Sequence, residues 1–311
     1  MTADVTPLII EARVNEYTSR RAGNPNVPYS PEEIVNDAVA VWEAGASIVH
    51  WHARDPETGA PSHDPGLFRD VIAGLRDRTD LLIYPTLGAN TAPAVSDRVS
   101  HILAVQDDPI LRVDIVPVDF GPSNLDAWDP ARTQFRTYDR VYNNTRGSLK
   151  EVLEVFREHD IFVASVCWDA GQIRTALRFR EMGLLGPRTL WEIVFGSDRL
   201  PVGFGISVLG LQALVAEIPP GEPWLVECVL GDVFPLAALA IVLGGHVAIG
   251  LGDFSYTRLG APTNADLVRR LAALSETLGR PVATPAQTRD LLGLPARSRM
   301  AARPARPSTD S

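Results

Sequence analysis

The chain has 311 residues, 45% of them hydrophobic and 22% charged, with a formal net charge of −9. That length exceeds one small domain and suits a single α/β barrel of about 250 residues with loops and a tail, while the acidic balance argues against a nucleic-acid surface. The longest apolar runs, such as Pro235 to Leu243, are too short to span a membrane, and the first residues carry Asp4 and no basic, apolar leader, so a cytoplasmic protein is expected.

In chain order, strand-like apolar runs alternate with segments of helical spacing. Strands are expected at Leu8 to Val14, Ser47 to His52, Leu81 to Thr86, Val113 to Asp119, Ile161 to Trp168, Thr189 to Phe195, Trp224 to Leu230 and His246 to Leu251. Helices are expected at Pro31 to Ala44, Pro65 to Arg78, Ser96 to Val105, Ser148 to His159, Gly171 to Met182, Leu209 to Ile218, Phe234 to Leu243 and Ala265 to Leu278. Ser30-Pro31-Glu32-Glu33 reads as an N-cap, a proline in the first turn and a capping-box glutamate, and Gly45, Gly183, Gly244 and Gly279 sit where helices end.

Eight near-continuously apolar strands, each followed by a helix, predict a TIM (β/α)8 barrel as one domain over residues 1–294. A doubly wound sheet is the alternative, but no GxGxxG follows the first strand. Two segments interrupt the alternation. Gly121 to Asn144, rich in Asp, Asn, Pro and aromatics, reads as a loop over the barrel mouth or a subunit contact, and 295–311 reads as a disordered tail. Cys167 and Cys228 lie in apolar runs without CxxC spacing, which predicts buried reduced thiols.

His50-Trp51-His52 is the strongest chemical signal. A strand's side-chain period is two, so both imidazoles face the same way, and two such groups form half of a transition-metal site. In a parallel barrel the reactive groups come from the carboxyl ends of strands. There the chain offers Arg13, Asn15 and Glu16, then His50, His52 and Arg54, then Thr86, Asp119, Asp169 and Asp253. Asp169, directly before a helix, reads better as a cap. Glu227 lies within a strand and faces either the barrel interior or the helix layer. A metal beside a carboxylate polarises a carbonyl while a base handles a proton, whereas the lack of GxSxG or a Cys/His pair argues against covalent acyl catalysis.

The runs Asn24 to Ile34, Ala44 to Asp55, Gly244 to Val247, Thr263 to Val268 and Gly279 to Pro285 occur in an order that resembles the β-keto acid cleavage enzymes, from about Leu8 to Leu294. The resemblance implies a TIM barrel, bound zinc, a homotetramer, and condensation of a β-keto acid with acetyl-CoA to give acetoacetate and a new CoA thioester. It implies zinc ligands at His50 and His52, a hydroxyl at Thr86, and an aspartate at Asp253 that positions or activates a base.

The chain departs from the family pattern at several points. Ala248 stands where an arginine is usual and Gly252 where a glutamate supplies the third zinc ligand, while Val163-Ala164-Ser165-Val166 replaces a stretch with two glutamates. A family glutamate after the first strand falls near Thr18, with Glu16 close by. The expectation is that the first strand compensates: Arg13 supplies the cation and Glu11 or Glu16 the oxygen ligand, with Glu11 the favoured metal ligand. Asn15, Glu16 and Asp119 are then substrate-binding candidates, and the substrate side group is expected to be neutral or to carry a carboxylate near Arg13. Three alternatives stay open. Glu11 and Arg13 could form a purely structural ion pair, the enzyme could be a metal-dependent lyase or hydrolase acting without CoA, or the chain could be a non-catalytic binding subunit.

Overall fold

The architecture is described from a computed structural model covering residues 5–88 and 94–295. Apart from Pro295, the expected tail lies outside these residues. Eight strands form one parallel sheet: β1 (Ile10–Arg13), β2 (Ile48–Trp51), β3 (Leu82–Pro85), β4 (Val116–Asp119), β5 (Val163–Cys167), β6 (Leu190–Phe195), β7 (Trp224–Cys228) and β8 (His246–Ile249). The order is β3-β2-β1-β8-β7-β6-β5-β4. The two end strands meet where Asp114 N and Ile115 N donate to Ile83 O, at 3.0 and 3.2 Å, which closes the sheet into a barrel.

Helices α1 (Pro31–Glu43), α2 (Pro65–Arg78), α3 (Val95–Gln106), α4 (Arg146–Glu158), α5 (Ala170–Glu181), α6 (Val208–Val215), α7 (Phe234–Val242) and α8 (Asn264–Thr277) follow the strands in turn. Their starts follow from the local sequence. Ser30 and Glu33 form the expected capping box on α1, and Asp169 accepts from Gln172 N at 2.9 Å as the N-cap of α5. Both cysteines are buried and free, as their apolar surroundings predicted.

A ninth helix, α9 (Pro285–Leu292), escaped the periodicity reading, although Thr284 and Gln287 give it a capping box. It carries Leu292 onto Ile9, Ile48, Leu82, Ile115, Leu190 and Leu225, the apolar layer at the amino ends of the strands. Each such side chain contributes about 1.5–3 kcal/mol on burial, so this end of the barrel is a plug. The opposite end holds the polar groups, as a strand period of two requires once Ile9 and Ile48 face inward: Glu11, Arg13 and His50 then face inward too.

Two glycines set how closely β8 approaches β1. A Cβ on Gly250 would lie 2.0 Å from Arg13 O, and one on Gly252 would meet Arg13 O and Asn15 O, both at 3.0 Å. Gly252 N donates to Arg13 O at 2.9 Å, so the exits of β1 and β8 are in backbone contact where a larger residue would push them apart. Over the mouth, the β4–α4 connection folds into two short antiparallel ladders, Ser123–Asn124 with Val141–Tyr142 and Trp128–Asp129 with Gln134–Phe135. No helix among the described residues is long and apolar enough to cross a membrane.

Candidate metal centre and acid network

A cavity of about 460 Å³ opens at the carboxyl ends of the strands, and His50, His52, Glu16, Arg13, Thr86 and Asp119 all line it. The tight turn after β1 fixes Glu16. Ser19 N and Ser19 Oγ donate to Glu16 O at 3.0 and 2.9 Å, and Tyr17 N donates to the Glu16 carboxylate at 2.6 Å. This brings Glu16 Oε1 to 2.8 Å from His52 Nε2, while His50 Nε2 lies 3.3 Å from His52 Nε2.

Among the described residues, Glu16, His50 and His52 form the cluster able to hold a metal, with ligand atoms within 4.8 Å of one another. The donor set passes a chemical test. Donors about 2.0–2.1 Å from a tetrahedral ion stand about 3.3 Å apart, which is how the two imidazole nitrogens stand. Two nitrogens aimed at one another share at most one proton without a cation between them. Burial, with Arg13 and His52 adding to it, drives the His50 pKa well down, which leaves the imidazole neutral, the form able to hold a metal. Burial would push Glu16 up, but His52, Arg13 and Arg54 outweigh it and hold Glu16 ionised.

The structure therefore sets Glu16, and not Glu11, against the imidazoles. Glu11 lies deeper on β1, two residues before Arg13, and its Oε1 accepts from Arg13 at 3.1 Å while Oε2 has no hydrogen-bond partner. Arg13 is likewise not available to a substrate in the way the sequence suggested. Its guanidinium reaches Glu192 at 2.8 Å, Asp253 at 3.0 Å, Glu11 at 3.1 Å, Glu227 at 3.3 Å and Glu16 at 3.5 Å. Burial acts to lower the Arg13 pKa, but Glu227, Asp253, Glu192 and Glu11 outweigh it, so the cation is fixed.

One cation cannot offset five buried carboxylates. Burial, reinforced by Glu192 and Asp253 and opposed by Arg13, leaves Glu11 well above the usual carboxyl range. Burial does the same to Glu227, which hydrogen-bonds Glu192 and is opposed in part by Arg13. Asp253 is pushed up to about 7, first by burial and against the pull of Arg13. Protons thus stay in the network near neutral pH. Glu192, which the sequence reading missed, is its hub. It accepts from Arg13 and, across the barrel, from Tyr84 Oη at 2.8 Å. The signal was available in Leu190-Trp191-Glu192, a carboxylate inside an apolar strand. Glu227, left open earlier, faces inward.

The remaining candidates separate. Asn15 is buried, with its amide spent on Pro28 O at 2.9 Å and its oxygen on His52 N at 2.7 Å, so it anchors the end of β2 and does not reach the cavity. Thr86 lines the cavity and accepts from Gly88 N at 3.1 Å. Asp253 stands behind Arg13 at a neighbouring cavity. Asp119 accepts from Trp168 Nε1 at 2.9 Å and Tyr142 Oη at 2.8 Å, and burial raises it to about 6 against those bonds.

The sequence profile of the beta-keto acid cleavage enzyme family matches residues 7–294. The 3-keto-5-aminohexanoate cleavage enzyme of Fusobacterium nucleatum is 31% identical over 290 residues, 92% of this chain and 98% of that protein. The 3-oxoadipate:acetyl-CoA acetyltransferase of Cupriavidus necator is 30% identical over 295 residues, covering 93% and 95%. Among solved structures, the binary complex of ObcA with oxaloacetate superposes with a TM-score of 0.65 at 15% identity, over 87% of this chain and 68% of that one, which speaks to the fold alone. With a family match spanning the whole barrel and a relative of 31% identity along nearly its full length, the chain belongs to the family of β-keto acid cleavage enzymes.

Proposed function

We propose that the protein exchanges acyl groups between a β-keto acid and acetyl-CoA at a divalent metal, zinc by the resemblance, held by His50, His52 and Glu16. The observation that carries this is the convergence of two imidazoles and one ionised carboxylate at a cavity backed by a proton-holding acid network. In the reaction R–CO–CH2–COO⁻ loses the bond between its keto carbon and its methylene carbon. That methylene carbon joins the acetyl group of acetyl-CoA as acetoacetate, and R–CO leaves on the CoA sulfur. Atoms balance without an oxidant, a reductant or water.

When bound, the metal supplies the Lewis acidity that polarises the keto oxygen. The chain's own groups do the rest. Arg13 holds Glu192 and Glu227 at the cavity wall, where burial favours the protonated form of Glu227 and suits it to exchange a proton with the substrate. Asp253, bonded to Arg13 Nε, acts as a positioning residue and does not touch substrate. Thr86 presents a hydroxyl toward the cavity to orient the substrate carboxylate. The loop of Leu125, Arg136 and Tyr142 covers the mouth and limits water.

Assembly as a homotetramer belongs to the same reading. It is supported by the exposed apolar residues Val208, Leu209, Val242 and Leu243 at the start of α6 and the end of α7. Incubating the metal-loaded protein with acetyl-CoA and a panel of β-keto acids tests the function: acetoacetate should form, and His52→Ala should abolish it while leaving the circular-dichroism spectrum unchanged. Release of free carboxylic acid with no acetoacetate would instead support a CoA-independent lyase or hydrolase.

A further inference from the structure

The cavity has two unlike walls. One carries His50, His52, Glu16, Arg13, Glu192 and Glu227, where any chemistry on a keto group must occur. The other carries Val166 of β5, Val194 of β6, Val229 just past β7, and Trp168, Leu200 and Leu125, which pack against one another as a separate apolar cluster. These side chains arise because β5, β6 and β7 alternate with period two, which brings Val166, Val194 and Val229 to the inner face near the mouth.

We propose that this second wall is the subsite for the substrate side group R, and that R is an uncharged hydrocarbon group. The inference rests on the proposed acyl exchange, since the keto group must sit at the polar wall for R to project onto the apolar one. A carboxylate on R would need a free cation. Arg13 is saturated by five carboxylates, and Arg136, with a side chain 62% exposed, stands out at the rim. The other guanidiniums lining the cavity are held by the loop after β1: Arg20 donates to Tyr17 O and Ser19 O, and Arg140 lies over the Tyr17 ring at 4.8 Å. An ammonium on R would need a free anion. Among the described carboxylates lining the cavity, Glu16, Glu192 and Glu227 are turned to Arg13, and Asp119 already accepts at each oxygen, from Trp168 and from Tyr142. A charge buried against valine and leucine without a partner is strongly disfavoured, whereas each methylene placed there improves binding about fourfold.

The experiment uses the full-length, metal-loaded protein and three β-keto acids of equal length, ending in methyl, ammonium and carboxylate. Acetoacetate formation with acetyl-CoA gives kcat/KM, and titration calorimetry without acetyl-CoA gives affinity. The methyl-ended acid should lead both charged ones by about a hundredfold or more, with a rise of about fourfold per added methylene. Val166→Asp should reverse the ranking in favour of the ammonium acid, and the volume-matched Val166→Thr should weaken the methyl acid about tenfold. Equal or better use of the ammonium acid, lost in Asp119→Asn, would overturn the inference and assign Asp119 as the reader of R. Preference for the carboxylate acid, lost in Arg140→Met, would overturn it as well and assign Arg140 as the reader of R. Should no acid give acetoacetate, the acyl-exchange reading fails, while the calorimetric ranking still decides the character of the subsite. Absence of binding by all three would overturn both.

Discussion

Replacing Arg13 by methionine removes the cation at the centre of Glu11, Glu16, Glu192, Glu227 and Asp253, which lie between 2.8 and 3.5 Å from it. Methionine keeps the hydrophobic stem and deletes the charge. Breaking a buried ion pair from one side costs about 3–5 kcal/mol, against a total stability of about 5–15 kcal/mol for a typical domain, so the variant should fold but with a large part of its margin gone. The loss should also depend on pH, with a definite sign. Without the guanidinium, the folded-state carboxyls rise further above their unfolded values of about 4.3, so the native state binds more protons than the unfolded chain. Stability is then fully present below about pH 4 and is lost as pH rises, by about 1.4 kcal/mol per unit for each extra proton. Urea unfolding followed by tryptophan fluorescence at pH 5.5 and pH 8 reads both effects, and the gap between parent and variant should widen at pH 8. Adding Glu227→Gln to the variant should recover part of the loss. A penalty below about 1 kcal/mol, or one that does not change with pH, would show that Arg13 does not neutralise the network.

Further outcomes follow from the same geometry. Glu16→Gln should weaken zinc binding by about a hundredfold or more in chelator competition, since catalytic zinc normally has three protein ligands, while Glu11→Gln should shift it far less; the opposite order would return Glu11 to the metal. Asp37, bonded by Asn264 Nδ2 at 2.6 Å and raised to about 7 by burial, contributes stability that is present below about pH 4 and lost as pH rises through about 7. Asp37→Asn should flatten that stretch of the stability profile and raise the melting temperature at pH 8, by less than a full conversion of the shift because the side chain is partly open to solvent; an unchanged profile refutes the assignment. Gly250→Ala should destabilise by about 1–3 kcal/mol, because its Cβ would fall 2.0 Å from Arg13 O and would part β1 from β8. A neutral effect on the melting temperature would mean that the two exits are not held in contact.

The barrel was legible because its signals are local. Eight strand-like apolar runs alternate with eight segments of helical spacing, and caps such as Ser30 and Asp169 mark the helix starts. The histidine pair was legible because period two sends His50 and His52 to one face whatever the tertiary structure. The third ligand was not. A strand extrapolated past β1 sends Glu11 and Glu16, an odd number of residues apart, to opposite faces, with Glu11 on the inner one; what brings Glu16 to the imidazoles is the turn through Ser19 that ends the strand, while Arg13 captures Glu11. Arg13 was expected to meet the substrate, because nothing local reveals that Glu192 and Glu227 come to it from the far side of the barrel. Asn15 was assigned to substrate for the same reason. Its partners, Pro28 O and His52 N, are 13 and 37 residues away in the chain. Helix α9 was missed because it is only 8 residues long, although its capping box was readable.

The central claim is that the acetyl carbons of acetyl-CoA end in acetoacetate while the β-keto acid's own acyl group leaves on CoA. The most direct measurement supplies acetyl-CoA labelled with carbon-13 in both acetyl carbons, together with an unlabelled β-keto acid carrying a hydrocarbon side group, and reads the products by NMR. The account predicts label at the methyl and keto carbons of acetoacetate and none in the new thioester. Label that stays in acetyl-CoA while the keto acid is consumed, or that appears in free acetate, would contradict it.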